Sequence, residues 1–178
     1  IVGCYTWRYT HRKEDKPLNR YFSLFGVNDP VAYFMGKADR QDYIPPKNKY
    51  KLAGKMIDKK DYFVVEFSPE NLPTIGANGF LIKRKLLMKA KMDPEHFFHI
   101  DVNMDLVKQG YNKYAVVKND IIHASGEKFL KFFKKRYRYW NELYHEDDQY
   151  RRYSICKFPD DSLKIISYSL YSLSIVVP

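Results

Sequence analysis

Four places in the chain carry side chains whose type and spacing suit chemistry. The first is Gly76-Ala77-Asn78-Gly79. Its glycines let the backbone approach a ligand closely or adopt positive φ, and Asn78 between them both donates and accepts hydrogen bonds. A plain turn accounts for the same residues. The second is His99-Ile100-Asp101 with Asp105. On a helix Asp101 and Asp105 share a face, while His99 lies about 200° from Asp101 around the axis. A carboxylate at the edge of a cleft is what is needed to take a proton from a hydroxyl, and a solvated acidic face is the competing explanation. The third is His123, closing an apolar Asp120-Ile121-Ile122-His123 piece, either a ligand or a hydrogen-bonded structural residue. The fourth runs from Glu127 to about Tyr144. There Phe129, Phe132, Phe133, Tyr137, Trp140 and Tyr144 recur at helical spacing, with Lys128, Lys131, Lys134, Lys135 and Arg138 largely between them. That pattern is an amphipathic basic helix, suited to an anionic membrane surface or to packing an aromatic face on a sheet.

Strands alternating with helices must position these groups. Residues 1 to 9 read as a strand. Pro17 opens a helix that Gly26 stops, and a short helix follows Pro30. Residues 37 to 60 are polar, with Pro45-Pro46 inside, and read as a surface excursion. Tyr62 to Phe67 is a buried strand. The glycine loop leads to a helical stretch over Lys83 to Ala90. Asp93-Pro94-Glu95 predicts a capped helix start, running to about Gln109 and ending at Gly110. Tyr114 to Val117 is a short strand and Asp120 to His123 a separate extended piece. The class is α/β, with a mixed sheet, flanking helices and a C-terminal amphipathic helix.

Composition narrows the partners. Aromatic residues make up 17% of the 178 residues, with 16 Tyr and 12 Phe, an excess that suits sugar stacking, interfaces and membrane headgroup layers. The net charge of +10 attracts polyanions: nucleic acid, anionic lipid or pyrophosphate-bearing substrates. Cys4 and Cys156 show no metal-ligand spacing, and a reducing compartment follows. Leu163 to Val177 is an apolar run with Ser and Tyr interspersed. It begins a membrane span, lies at an interface, or is buried. Both ends look cut, and the expected division is a domain over 1–150 followed by a linker and apolar segment over 151–178.

Taken in order, GANGF at 76–80, HIDVNMDLVKQGY at 99–111, His123 and KKRYRYW at 134–140 resemble the second half of family 2, GT-A type glycosyltransferases. That family carries a glycine loop, an E-D-x-D-L-x-x-R-L-x-x-x-G-Y stretch, a histidine at a fixed distance and a basic aromatic helix. The likeness covers residues 60 to 145 well and 1 to 40 loosely. It implies a partial GT-A (Rossmann-like) fold on the acceptor side of a membrane-associated enzyme at the cytoplasmic face. Such an enzyme moves a sugar from a nucleotide-sugar to a lipid-linked or glycan acceptor. Anchored on Gly110-Tyr111, the ungapped match puts Asp101, the expected catalytic base, on the second Asp of the family's E-D-x-D motif, and His123 on the family histidine. Phe98 and His99 stand where the family has Glu and its usual base Asp, and Asp105 replaces the arginine. Matching instead on Asp105-Leu106 puts Asn103 at the base position. The resemblance further implies Gly76, Asn78, Gly79, His99 and Asp105 as acceptor- or donor-binding residues. It implies a divalent metal (Mg or Mn) near His123, and Lys131, Lys134, Lys135, Arg138 and Trp140 at a membrane surface. No D-x-D donor motif precedes Gly76, since Asp39-Arg40-Gln41-Asp42 has the wrong spacing. A non-catalytic remnant of the same fold and a basic-aromatic nucleic-acid-binding module are the rival readings.

Overall fold

The computed structural model describes residues 1–26, 29–42, 54–124, 128–142 and 148–155. An open, mixed five-stranded sheet organises them. Its strands are β1 (Gly3–Thr10), β2 (Lys55–Asp58), β3 (Tyr62–Glu66), β4 (Leu81–Ile82) and β5 (Lys113–Ile122), in the order β2-β3-β5-β1-β4. β1 and β5 are parallel neighbours; every other pairing is antiparallel. The helices are α1 (Pro17–Phe25), α2 (Pro30–Phe34), α3 (Arg84–Leu87), α4 (His99–Lys108) and α5 (Phe129–Asn141), followed by a 3-10 turn over Asp148–Tyr150. The α/β class expected from alternating elements is what forms.

Local signals set several boundaries. Pro17 occupies the start of α1, and Gly26 ends it in the left-handed conformation at φ 65. Asp29 caps α2, its carboxylate accepting from the Val31 amide at 3.0 Å. The core is built from alternate strand residues, Tyr5, Phe63, Val65, Tyr114 and Val116, joined by Ile100, Val102, Leu106 and Val107 of α4. α4 buries seven of its ten residues, including Asp101 and Asn103, so it is an internal helix and its acids do not form a solvated face.

Four expectations need correction. The helix expected from Asp93 begins instead at His99. Asp93 does cap, accepting from the amides of Glu95 and His96, but it caps a single turn. Phe98 then takes an extended conformation and is buried, a gain on the order of 2 kcal/mol that a continuous exposed helix would forgo. The two extended pieces at 114–117 and 120–123 are one strand. Opposite the step from Thr6 to Arg8, β5 runs from Val117 to Asp120, and this extra residue is a bulge that breaks the period-2 pattern. The excursion over 37–60 contains β2, which pairs with β3. Finally, residues 151–155 are no linker: Tyr153 and Ile155 lie in the core. Residues 156–178, with the apolar run and Cys156, fall outside the described residues, as do Glu127, Tyr144 and Pro45-Pro46.

Candidate functional cleft

In an open α/β sheet, ligands collect beyond the carboxyl ends of parallel strands. Here Tyr9, near the end of β1, lies in the wall of a cleft of about 200 Å³ that also involves Asp29, Asp39, Asn78, His99, Arg136 and Tyr139. The cleft thus gathers the glycine loop, the start of α4 and the inner side of α5, elements far apart in sequence.

The glycine loop is shaped by its neighbours. Gly76 adopts φ 129, and a Cβ there would stand 2.6 Å from His99 Cδ2 and 3.0 Å from Asn103 Nδ2. Only a residue without a side chain lets this loop lie against His99. Asn78, at φ 51, is the one non-glycine residue with positive φ among the described residues. Its side-chain amide donates to the Tyr9 hydroxyl at 3.0 Å, and its carbonyl accepts from Arg40 Nη2 at 2.8 Å. Gly79 lies at φ 81 beside Ile121 of β5. The loop expected from sequence to approach a ligand does line the cleft, through Ala77 and Asn78.

Arg40 holds this loop from beneath. It is buried, paired with Asp39, and lies over the rings of Tyr5 and Tyr9 at 4.9 and 5.2 Å. Burial pushes the Asp39 carboxyl above its ordinary pKa, against the pull of Arg40. Burial and the neighbouring Asp39 charge likewise raise Tyr9, which stays a neutral phenol. Burial also pushes Tyr139, another residue of the cleft lining, up to about 12.

The four ionisable or amide groups singled out on α4 separate. His99 faces the cleft, partly buried, and burial holds its pKa below 6.5 despite the opposing charge of Asp101. Its imidazole is therefore neutral at pH 7, able to accept a proton. Asp101 is completely buried on the other side of the helix. One of its oxygens accepts from the amides of Arg152 and Tyr153 at 2.9 and 2.8 Å, and the other lies 3.3 Å from Arg151 Nη1. That carboxylate ties residues 151–153 to α4 and has no surface on which to meet a substrate hydroxyl. Asp105 follows it, accepting from the Lys91 amide at 3.0 Å and Arg152 Nε at 2.9 Å, away from the cleft. Asn103 is buried and saturated: it donates to the carbonyls of Ile75 and His99 and accepts from the Tyr114 hydroxyl.

His123 lies just beyond the end of β5, its ring 5.1 Å from that of Tyr9 and 6.2 Å from that of Phe22. Burial, then the charges of Arg136 and Arg40, lower its pKa. Aromatic neighbours and nearby cations do not suit a divalent metal, and among the described residues no group of three or more His, Cys, Asp or Glu is arranged to hold one.

α5 divides differently from its sequence reading. Phe132 is buried against Phe22 and Leu18, and Trp140 turns inward, its Nε1 donating to Asp29 at 3.3 Å. The exposed apolar residues are Phe129, Leu130, Phe133 and Tyr137, beside exposed Lys131, Lys134, Lys135 and Arg138. Among the described residues no helix is long and apolar enough to cross a membrane.

Asp29, Asp39, Arg40, Arg136, Tyr9 and Tyr139 were not singled out from sequence. For Asp29 a signal existed, since Asp before Pro marks a helix cap; for the others nothing in their neighbours' spacing announces a shared cleft. No protein-family model, curated protein or solved structure matches this chain.

Proposed function

We propose that this chain forms the acceptor side of a GT-A type, family 2 glycosyltransferase, and that His99 is its general base. The observation that carries the reading is the meeting of His99 with the Gly76–Gly79 loop in one cleft. His99 is the residue standing at the position of the family's base in the ungapped match. A neutral imidazole, partly screened from water, takes the proton of an acceptor hydroxyl as its oxygen attacks the anomeric carbon. The bond from that carbon to the donor phosphate breaks, and the nucleotide leaves with the bonding pair. Arg136, in the cleft wall, is a cation placed to meet negative charge there. The donor site and any metal belong, on this reading, to a nucleotide-binding half outside the matched residues.

The α5 surface supports the membrane part of the reading. With 3.6 residues per turn, Phe129, Phe133, Tyr137 and Leu130 cover one arc of its outer side, and Lys134, Arg138, Lys131 and Lys135 cover the next. Apolar and basic arcs side by side suit a helix lying in an anionic headgroup layer.

The test is turnover by the full gene product with a panel of nucleotide-sugars, following release of the nucleotide. His99→Gln is expected to lower turnover about 100- to 10,000-fold while the melting curve stays close to wild type. No turnover with any donor would end the reading. Undiminished turnover in the variant would move the base elsewhere.

A further inference from the structure

Among the described residues that line the His99 cleft, Arg136 is the one cation, and its hydrogen bonding is incomplete. Its pairing with Asp29 is long, at 3.5 Å, and its buried Nε has no hydrogen-bond partner. A buried donor without an acceptor is costly, so a guanidinium held in this way calls for a further partner. We propose that the cleft takes a sugar that carries a carboxylate, and that Arg136 reads this carboxylate while His99 faces one of the sugar's hydroxyls. This inference rests on the glycosyltransferase reading and narrows it: the acceptor is an acidic sugar, and the negative charge that Arg136 meets is the acceptor's own.

Four features favour this ligand. The cleft, of about 200 Å³, lies below the roughly 300–1,000 Å³ of sites that enclose a drug-sized molecule, which leaves room for about one sugar unit. The charge of that unit follows from the wall. Asp29 and Asp39 also line the cleft, so its single guanidinium balances one negative charge, whereas a phosphate monoester, with about two at neutral pH, would leave one unbalanced beside two acids. Arg136 is also ready to be recruited. The rings of Phe132 and Tyr139 lie 5.4 and 5.3 Å from its guanidinium, partly shielding it from water, and its flat fork of donors matches a carboxylate. Asp29 meanwhile accepts from the Val31 amide and Trp140 Nε1, so the ligand can take over the guanidinium without stranding that carboxylate. Lastly, the backbone amides of Ala77 and Asn78, both lining residues, have no acceptor among the described residues and remain available to the sugar's oxygens.

Nuclear magnetic resonance titration of the full chain, following the His99 imidazole, tests the idea without any donor. The probes are the methyl glycosides of glucuronic and galacturonic acid, their neutral counterparts methyl glucoside and methyl galactoside, and inorganic pyrophosphate. At least one uronide is expected to shift His99 saturably and to bind about tenfold or more tighter than its neutral counterpart, the contribution of a charge-assisted pair. Arg136→Gln should abolish that preference. Asp29→Asn keeps a good helix-capping side chain while removing the competing negative charge, and should tighten the uronide without tightening the neutral sugar. Equal binding of uronide and neutral sugar to the wild type, or no saturable shift with either uronide, would overturn the proposal. So would an undiminished preference in Arg136→Gln, or pyrophosphate shifting His99 at lower concentration than the uronides, which would assign the guanidinium to a phosphate. Uronide binding without turnover of any nucleotide-sugar would sink the enzyme reading and leave this one; turnover on neutral acceptors without uronide binding would do the reverse.

Discussion

On α4, His99 and Asp101 are two residues apart and occupy opposite environments. His99 borders the cleft, with the glycine loop laid against its ring. Asp101 is sealed beneath residues 151–153, its carboxylate shared among two backbone amides and Arg151. Both are polar, both are ionisable, and by spacing alone the carboxylate is the natural base. The difference shows that a helix buried on nearly all sides offers two kinds of polar position. One is open enough to exchange a proton; the other is closed enough to act as a tie. A carboxylate in the second kind of position contributes to the cohesion of the fold.

The contrast is sharpest in a pair of variants. In a transfer-competent form, His99→Gln should cost about 3 to 5 kcal/mol of transition-state stabilisation, the equivalent of general-base catalysis, with little loss of stability. Asp101→Asn should do the opposite. Removing one partner of a buried pair costs on the order of 3 kcal/mol or more, read as a lower midpoint in urea, and any loss of turnover should track the unfolded fraction. Asp101→Asn as stable as wild type would mean that residues 151–153 are held by something other than this carboxylate.

A third variant probes the boundary between the two faces. Gly76→Ala places a methyl group against His99 and Asn103 at a backbone conformation that disfavours a side chain. It should destabilise by roughly 1 to 3 kcal/mol and also lower turnover, because the ring that must yield is that of His99. Loss of stability with full turnover would separate the loop from the base.

The smallest expected effect is on pH dependence. Burial holds the folded-state pKa of His99 below 6.5, so between that lowered value and 6.5 the unfolded chain carries the extra proton. Stability should therefore fall as the pH drops through this window and recover above it. His123, also lowered, contributes with the same sign. Urea midpoints measured from pH 7.5 to 5 should decline less steeply in His99→Gln than in wild type, whereas Asp101→Asn, which removes the charge opposing the shift, should not flatten the slope in this way. An unchanged slope in His99→Gln would mean that this imidazole is not desolvated.

Much of the framework was legible in the residues because its signals are local. Pro17 and Gly26 bracket α1, the YFVVE run gives β3, and the spacing of Phe129, Phe132 and Phe133 gives α5. The opposition of His99 to Asp101 around a helix also follows from the 100° step per residue. What could not be read was which side of that helix would face a cleft. That choice depended on Tyr153 and Ile155 returning to the core, and on Phe98 leaving the expected helix to be buried. The same holds for α5. Helical spacing grouped Trp140 with Phe129 and Phe133, but only the presence of Asp29 and Phe22 across the fold decided that Trp140 and Phe132 turn inward. Sequence determines element type through short-range propensity and periodicity. Burial, pKa and the membership of a cleft are set by what arrives from far along the chain, as with Arg40 beneath Asn78, 38 positions away, and Arg136 beside Asp29, 107 positions away. Those contacts come into being only when the sheet β2-β3-β5-β1-β4 sets β1 beside β5 in its interior.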